Sequence, residues 1–114
     1  MNIAITFRQL DASEAVKQYA TEKVGKLQKF LRKQISAQVK LSLDKLDHVA
    51  DVHIHAGSEH FHGSERSEDM YASIDRVIDK LDRQIRASKG MLQNKVRGTE
   101  GLKDREVIEP GEEP

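Results

Sequence analysis

The sequence predicts an α+β fold, a two-layer sandwich of element order β-α-β-β-β-α in which two helices cover one face of a four-stranded sheet. Three observations predict it. Four segments alternate apolar and polar residues, the period of a strand with one buried face. Two longer segments each carry a single apolar stripe at three- and four-residue spacing, which is how a helix presents one face to a core. The last three strands follow one another too closely for parallel crossovers, so they form an antiparallel meander.

The first strand runs from Asn2 to Arg8, with Ile3, Ile5 and Phe7 on one face and Ala4, Thr6 and Arg8 on the other. Asp11 or Ser13 offers an N-cap for a helix reaching about Leu31, with Glu14 in its first turn. Its stripe is Val16, Ala20, Val24, Leu27 and Leu31. In the second strand Ile35, Ala37, Val39, Leu41 and Leu43 alternate with Ser36, Gln38, Lys40 and Ser42. The third covers about His48–Ala56, with Ala50, Val52, Ile54 and Ala56 inward. Gly57-Ser58 suits a two-residue type II′ hairpin turn, which needs Gly first. The fourth strand, about Glu59–Glu65, turns Phe61 inward. Ser67 is the expected cap of a second helix whose stripe is Met70, Ile74, Val77, Ile78, Leu81 and Ile85. The first strand, followed by a helix, is expected to pair parallel to a neighbour that the pattern does not specify.

At 114 residues the chain has room for one domain. Gly98, Gly101, Pro110, Gly111 and Pro114 punctuate a polar C-terminal stretch that cannot repay its ordering entropy. The expected division is a folded domain over residues 1–96 and a mobile acidic tail over 97–114. No apolar run approaches the roughly 18 residues of a membrane span, and the N-terminus starts no signal peptide. Zero cysteines exclude disulfides, thiolate metal sites and Cys nucleophiles. The expectation is a soluble cytoplasmic protein without a membrane partner.

Lys+Arg and Asp+Glu both number 19, so the formal net charge is zero. The charge is unevenly spread. All the bases precede Glu106, whereas the last nine residues hold four glutamates and no base. A basic body with an acidic tail points toward an anionic partner. Glu106, Glu109, Glu112 and Glu113 are expected to cover the basic surface loosely when RNA is absent. Deleting residues 106–114 then raises affinity for generic RNA at low salt, and unchanged affinity rejects the masking.

A helical wheel sharpens the charge argument. With Ile74 at zero, Arg83, Arg76 and Lys80 fall between about 180° and 240°, while Asp82, Asp75 and Asp79 fall between about 80° and 140°, joined by Arg86. On the first helix, with Val16 at zero, Lys29, Lys33 and Lys26 fall between about 220° and 280°. Lys23 falls inside the apolar arc, where its stem must snorkel to water. If the helices pack side by side, the basic flanks are expected to line one groove, with Lys23, Lys26, Lys29 and Lys33 opposite Arg76, Lys80 and Arg83. Such a groove suits a polyphosphate backbone. A mixed-sign surface between the helices contradicts it. Aromatic residues make up only 4% of the chain, too few for base-stacking platforms, which favours structured RNA read through phosphate and shape.

Four of the five histidines gather around one hairpin. A Gly57-Ser58 turn sets His55 opposite His60 and His53 opposite His62, all pointing away from the core. No metal or cofactor is expected. His53, His55, His60 and His62 are nonetheless the residues placed to capture Zn²⁺ or Ni²⁺, with Glu59 and Asp51 nearby but no well-placed carboxylate. No P-loop, G-x-S-x-G or H-E-x-x-H motif occurs, so neither catalysis nor a small-molecule substrate is expected.

The segment Asp69-Met70-Tyr71-Ala72-Ser73-Ile74-Asp75, continuing through Asp79-Lys80-Leu81-Asp82-Arg83-Gln84, resembles the signature of the ribosome hibernation promoting factors and ribosome-associated translation inhibitors. Lys23-Val24-Gly25-Lys26-Leu27 resembles the matching piece of that family's first helix. The likeness covers about residues 1–90. It implies a bacterial-type stress protein, monomeric off the ribosome, that binds the small ribosomal subunit and its rRNA. There it would occupy the channel of mRNA and of A- and P-site tRNA and block translation by occlusion. Carried over by position, Lys23, Lys26, Lys80 and Arg83 become candidate contacts to rRNA phosphates. Arg76, Lys29 and Lys33 rest on the wheel. Where members often carry a further base this chain has Ala87, so Arg86 or Lys89 has to substitute. Long members add a domain that pairs ribosomes, and this chain is expected to be too short to hold one. Its acidic tail resembles that of members that keep ribosomes single. Two other readings stay open: a generic structured-RNA binder, and a metal- or pH-responsive module built on the histidine hairpin.

Overall fold

Strand alternation is read directly into the sheet. The computed structural model describes residues 1–89, and the expected domain boundary at residue 96 and the acidic tail lie outside them. Four strands, β1 (Asn2–Arg8), β2 (Ser36–Asp44), β3 (Asp47–Ala56) and β4 (Glu59–Ser67), lie in the order β1-β2-β3-β4. β1 runs parallel to β2, with Ile3 opposite Ala37 and Phe7 opposite Leu41, which settles the neighbour. β2, β3 and β4 form the antiparallel meander. The element order and the sandwich are as the periodicity predicts.

One sheet face is apolar and closed. Ala37, Val39, Leu41, Ala50, Val52, Ile54, Ala56 and Phe61 are all buried there. On the helix side Val24, Leu27, Ile74, Val77 and Leu81 are buried as well. Each fully buried Leu or Ile stabilises the fold by about 1.5–3 kcal/mol, so this single core dominates the energetics. The other sheet face keeps Gln38, Lys40, His55, His60, His62 and Ser64 exposed.

The first helix departs from expectation. The α-helix α1 covers Glu14–Gly25, capped by the Ser13 hydroxyl, which accepts from Val16 N at 3.2 Å. A 3₁₀ segment, Lys26–Phe30, follows, and Leu31 is already extended. Gln28 explains the early end. Its amide donates to the carbonyls of Leu31 (3.2 Å) and Lys33 (2.8 Å) and accepts from Ile35 N (2.8 Å), giving the backbone partners that a continuing helix would have supplied.

The helix α2 spans Met70–Ser88. Its cap is Asp69, whose carboxylate accepts from Ala72 N at 3.2 Å, and not Ser67 as expected. Ser67 instead accepts from Asp69 N and meets the hydroxyl of Ser73, which is buried and donates to the His48 carbonyl at 2.6 Å. Thus Ser67 shapes the turn while Asp69 caps the helix. Packing divides the chain into two units, Met1–Arg83 and Gln84–Pro114. The first holds the sheet, α1 and α2 as far as Arg83. Within the second, the helix runs on to Ser88, whose hydroxyl donates to the Ile85 carbonyl at 2.9 Å.

Candidate nucleic-acid interface

The two helices bring their polar flanks together, but not the flanks the wheel paired. Lys23, Lys26 and Lys29 line a cleft with Leu27 and Phe30, and Asp75, Asp79 and Asp82 of α2 complete it with Ile78. The cleft is of mixed sign. The single groove of seven cations is therefore not what the fold builds. Segregation of charge on α2 is real, yet its acidic flank meets α1. Tertiary placement of the flanks decided this, and a wheel drawn on one helix carries no information about its neighbour.

Lys33 is the second correction. It lies beyond the 3₁₀ segment, and its stem packs on the β3–β4 turn, where a Cβ added to Gly57 would stand 2.9 Å from Lys33 Cγ. The wheel carried 100° per residue as far as Lys33, and the chain leaves that geometry at Gly25.

Lys23 is placed as its position in the apolar arc demands. Half-buried, it holds its ammonium 3.9 Å from Asp75 Oδ1 and 5.3 Å from the Tyr19 ring centroid. The Tyr19 hydroxyl donates to Asp75 at 2.5 Å, and its ring meets Tyr71 edge-on at 4.9 Å. The hydrogen bond to Asp75, with some desolvation, raises the Tyr19 phenol above its ordinary 10.0. This quartet of Tyr19, Lys23, Tyr71 and Asp75 was missed from the sequence as a unit. Its members stand in separate segments, and only the odd position of Lys23 signalled it.

Arg76, Lys80 and Arg83 occupy the other flank of α2, away from the cleft. Lys80 pairs with Glu65 of β4 at 2.8 Å, Arg83 with Asp79 at 3.2 Å, and Arg76 donates to the Arg66 carbonyl at 3.3 Å. Gly63 lets the helix sit this close to β4. A Cβ there would lie 3.2 Å from Val77 Cγ2 and 3.4 Å from Lys80 Cδ. The fold thus builds two cationic strips, Lys23/Lys26/Lys29 and Arg76/Lys80/Arg83, with a row of aspartates between them.

The histidine hairpin has the expected register: His53 pairs with His62, His55 with His60, and Ile54 with Phe61. Gly57 at φ 63° supplies the left-handed first turn position. Asp51 is better placed than the sequence suggested, with Oδ1 3.0 Å from His62 Nε2 and 3.5 Å from His53 Nε2. Burial, then the charge of His62, pushes the His53 imidazole below its ordinary 6.5, although Asp51 pulls the other way.

Residues 3–93 match the family model described as Sigma 54 modulation protein / S30EA ribosomal protein. The chain belongs to this family. Among its S30EA relatives, the ribosome hibernation promoting factor of Salmonella typhimurium is 33% identical over 93 residues, covering 82% of this chain and 98% of the relative. That of Azotobacter vinelandii is 34% identical over 85 residues, covering 75% and 79%. The solved N-terminal domain of Thermus thermophilus Protein Y superposes with a TM-score of 0.71 at 27% identity, over 77% of this chain and 99% of that domain. A ribosomal subunit interface protein from Coxiella burnetii shares the S30EA fold, with a TM-score of 0.69 at 22% identity over 79% of this chain and 99% of that one.

Proposed function

We propose that this S30EA-family chain is a cytoplasmic ribosome hibernation factor, acting without catalysis, that binds the small ribosomal subunit in the channel of mRNA and of A- and P-site tRNA. Occupying that channel, it inhibits translation by exclusion. Off the ribosome it is a monomer. The reading is supported by the family match over residues 3–93 and by relatives named ribosome hibernation promoting factor.

The observation that carries the chemistry is the pair of cationic strips on the helix layer. Lys26, Lys29, Arg76, Lys80 and Arg83 all stand exposed there. Their acidic partners do not disqualify them. Exposed ion pairs are worth about 0–1 kcal/mol, so Lys80 and Arg83 exchange Glu65 and Asp79 for phosphate oxygens at small cost. Lys23 is tied to Asp75 and positions the cleft lip more than it offers a free charge. Lys33, placed at the hairpin turn, contacts rRNA only if the partner reaches around to that end.

Two strips separated by an acidic row fit an irregular RNA surface with phosphates on both sides of α2. A uniform duplex groove would press its phosphates against Asp75, Asp79 and Asp82. The geometry thus favours a folded rRNA site over generic duplex RNA. Competition on isolated small subunits tests the channel. The protein and mRNA with initiator tRNA are expected to displace one another, whereas simultaneous saturation by both overturns the proposed location.

A further inference from the structure

The exposed face of the sheet, opposite the helices, carries a second arrangement that the ribosomal reading does not use. On β3 and β4 the outward positions run His55, His53, Asp51 and His60, His62, Ser64 in paired register. Three of these converge. Asp51 Oδ1 lies 3.0 Å from His62 Nε2 and 3.5 Å from His53 Nε2, and the three donor atoms all fall within 4.8 Å of one another.

We propose that Asp51, His53 and His62 form a binding site for a divalent transition-metal ion of the Zn²⁺ class, clipping β3 to β4. Two imidazoles and one carboxylate are a donor set that suits Zn²⁺. In a tetrahedron with bonds of about 2.0–2.1 Å, neighbouring donors stand roughly 3.3 Å apart. The two distances to Asp51 bracket that edge, so the carboxylate already stands at ligand spacing from both imidazoles, and closing the site takes reorientation of a histidine ring.

His60 supplies the independent support. Its Nε2 lies 3.2 Å from His53 Nδ1. When His53 donates through Nδ1, its Nε2 carries the lone pair, and that is the nitrogen directed at Asp51. Ligating histidines are commonly held in this way through their second nitrogen, which fixes both tautomer and ring orientation. The rings of His53 and His62 are stacked, 4.0 Å between centroids and 15° from parallel, so their in-plane lone pairs run alongside one another and one ring has to turn about its side-chain torsions for both to meet the ion. The fourth coordination position faces solvent and is left to water. Two neutral imidazoles and one carboxylate leave the bound Zn²⁺ with a net charge of +1, so occupancy adds positive charge to this face.

Zinc titration of the full chain by calorimetry, with thermal unfolding in parallel, tests the site. One Zn²⁺ per chain is expected, with a melting temperature that rises with free Zn²⁺ because the ion binds only the paired strands. Asp51→Asn and His62→Gln are expected to weaken binding more than tenfold and abolish the thermal shift. His60→Gln is expected to weaken it about tenfold, as loss of a supporting partner does. His55→Gln retains wild-type affinity, and circular dichroism of each zinc-free variant confirms the fold. Absence of saturable binding to the wild type overturns the site. Undiminished binding by Asp51→Asn or His62→Gln also overturns it, by moving the ion to other ligands. Neither readout involves ribosomes, so the site and the ribosomal reading fail separately.

Discussion

Lys23 shows what one residue in an unexpected place does. Its helix position would be apolar in a simple amphipathic pattern, and the lysine is retained by the Asp75 carboxylate and the face of the Tyr19 ring, whose hydroxyl donates to the same Asp75. The same hydrogen bond yields a titration signature. The folded state holds the Tyr19 proton more tightly than the unfolded chain does, so this contribution is fully present below about pH 10 and is lost as pH rises through the folded value. With two tyrosines and no tryptophan, phenolate absorbance of Tyr71→Phe reports Tyr19 alone. It is expected to titrate above 10, and Asp75→Asn is expected to bring it back toward the ordinary value.

At the scale of elements, Asp69 and Gly63 fix α2. Asp69→Ala is expected to destabilise the fold by about 1 kcal/mol through loss of the cap, measured by urea denaturation. Gly63→Val forces branched atoms against Val77 and Leu81 and is expected to cost about 1–3 kcal/mol. The strands were legible because their period of two leaves one register that buries Ala37, Val39, Leu41, Ala50, Val52, Ile54 and Phe61 together, and Ile54 opposite Phe61 fixes the hairpin without ambiguity. The end of α1 was not. Leu27 and Leu31 satisfy both a continuing helix and a 3₁₀ exit, and what decides between them is Gln28, whose side-chain bonds to Leu31, Lys33 and Ile35 leave no mark in hydrophobic spacing. The cap of α2 was misplaced for a related reason: Ser67 and Asp69 are both good caps, and the hydroxyl of Ser67 is occupied with Ser73.

Across the whole molecule, one sheet divides two chemistries. The helix layer carries cations interleaved with aspartates, and the open sheet face carries a histidine cluster around Asp51. The wheel found the charge segregation on α2 but not which flank α1 would meet, because that depends on how both helices lie over the sheet. The aspartate row has a consequence for binding. Replacing Asp75, Asp79 and Asp82 together by Asn is expected to raise affinity for generic duplex RNA, measured by filter binding at low salt, because it removes the repulsion separating the two strips. Asp75→Asn alone is expected to contribute least, since it also releases Lys23 from its fixed position.

The measurement that tests the central claim most directly is co-sedimentation with separated ribosomal subunits over a salt series, wild type against Lys26→Glu/Lys80→Glu. The pair takes one cation from each strip and leaves the core untouched, as both are exposed. Saturable binding to the small subunit is expected, its log affinity falling with log salt by roughly 0.7–0.9 per phosphate contacted, with the slope shallower by about two contacts and the affinity sharply lower in the double variant. Wild-type protein that stays in the supernatant with small subunits at low salt, or a double variant that binds with unchanged affinity and slope, contradicts the account.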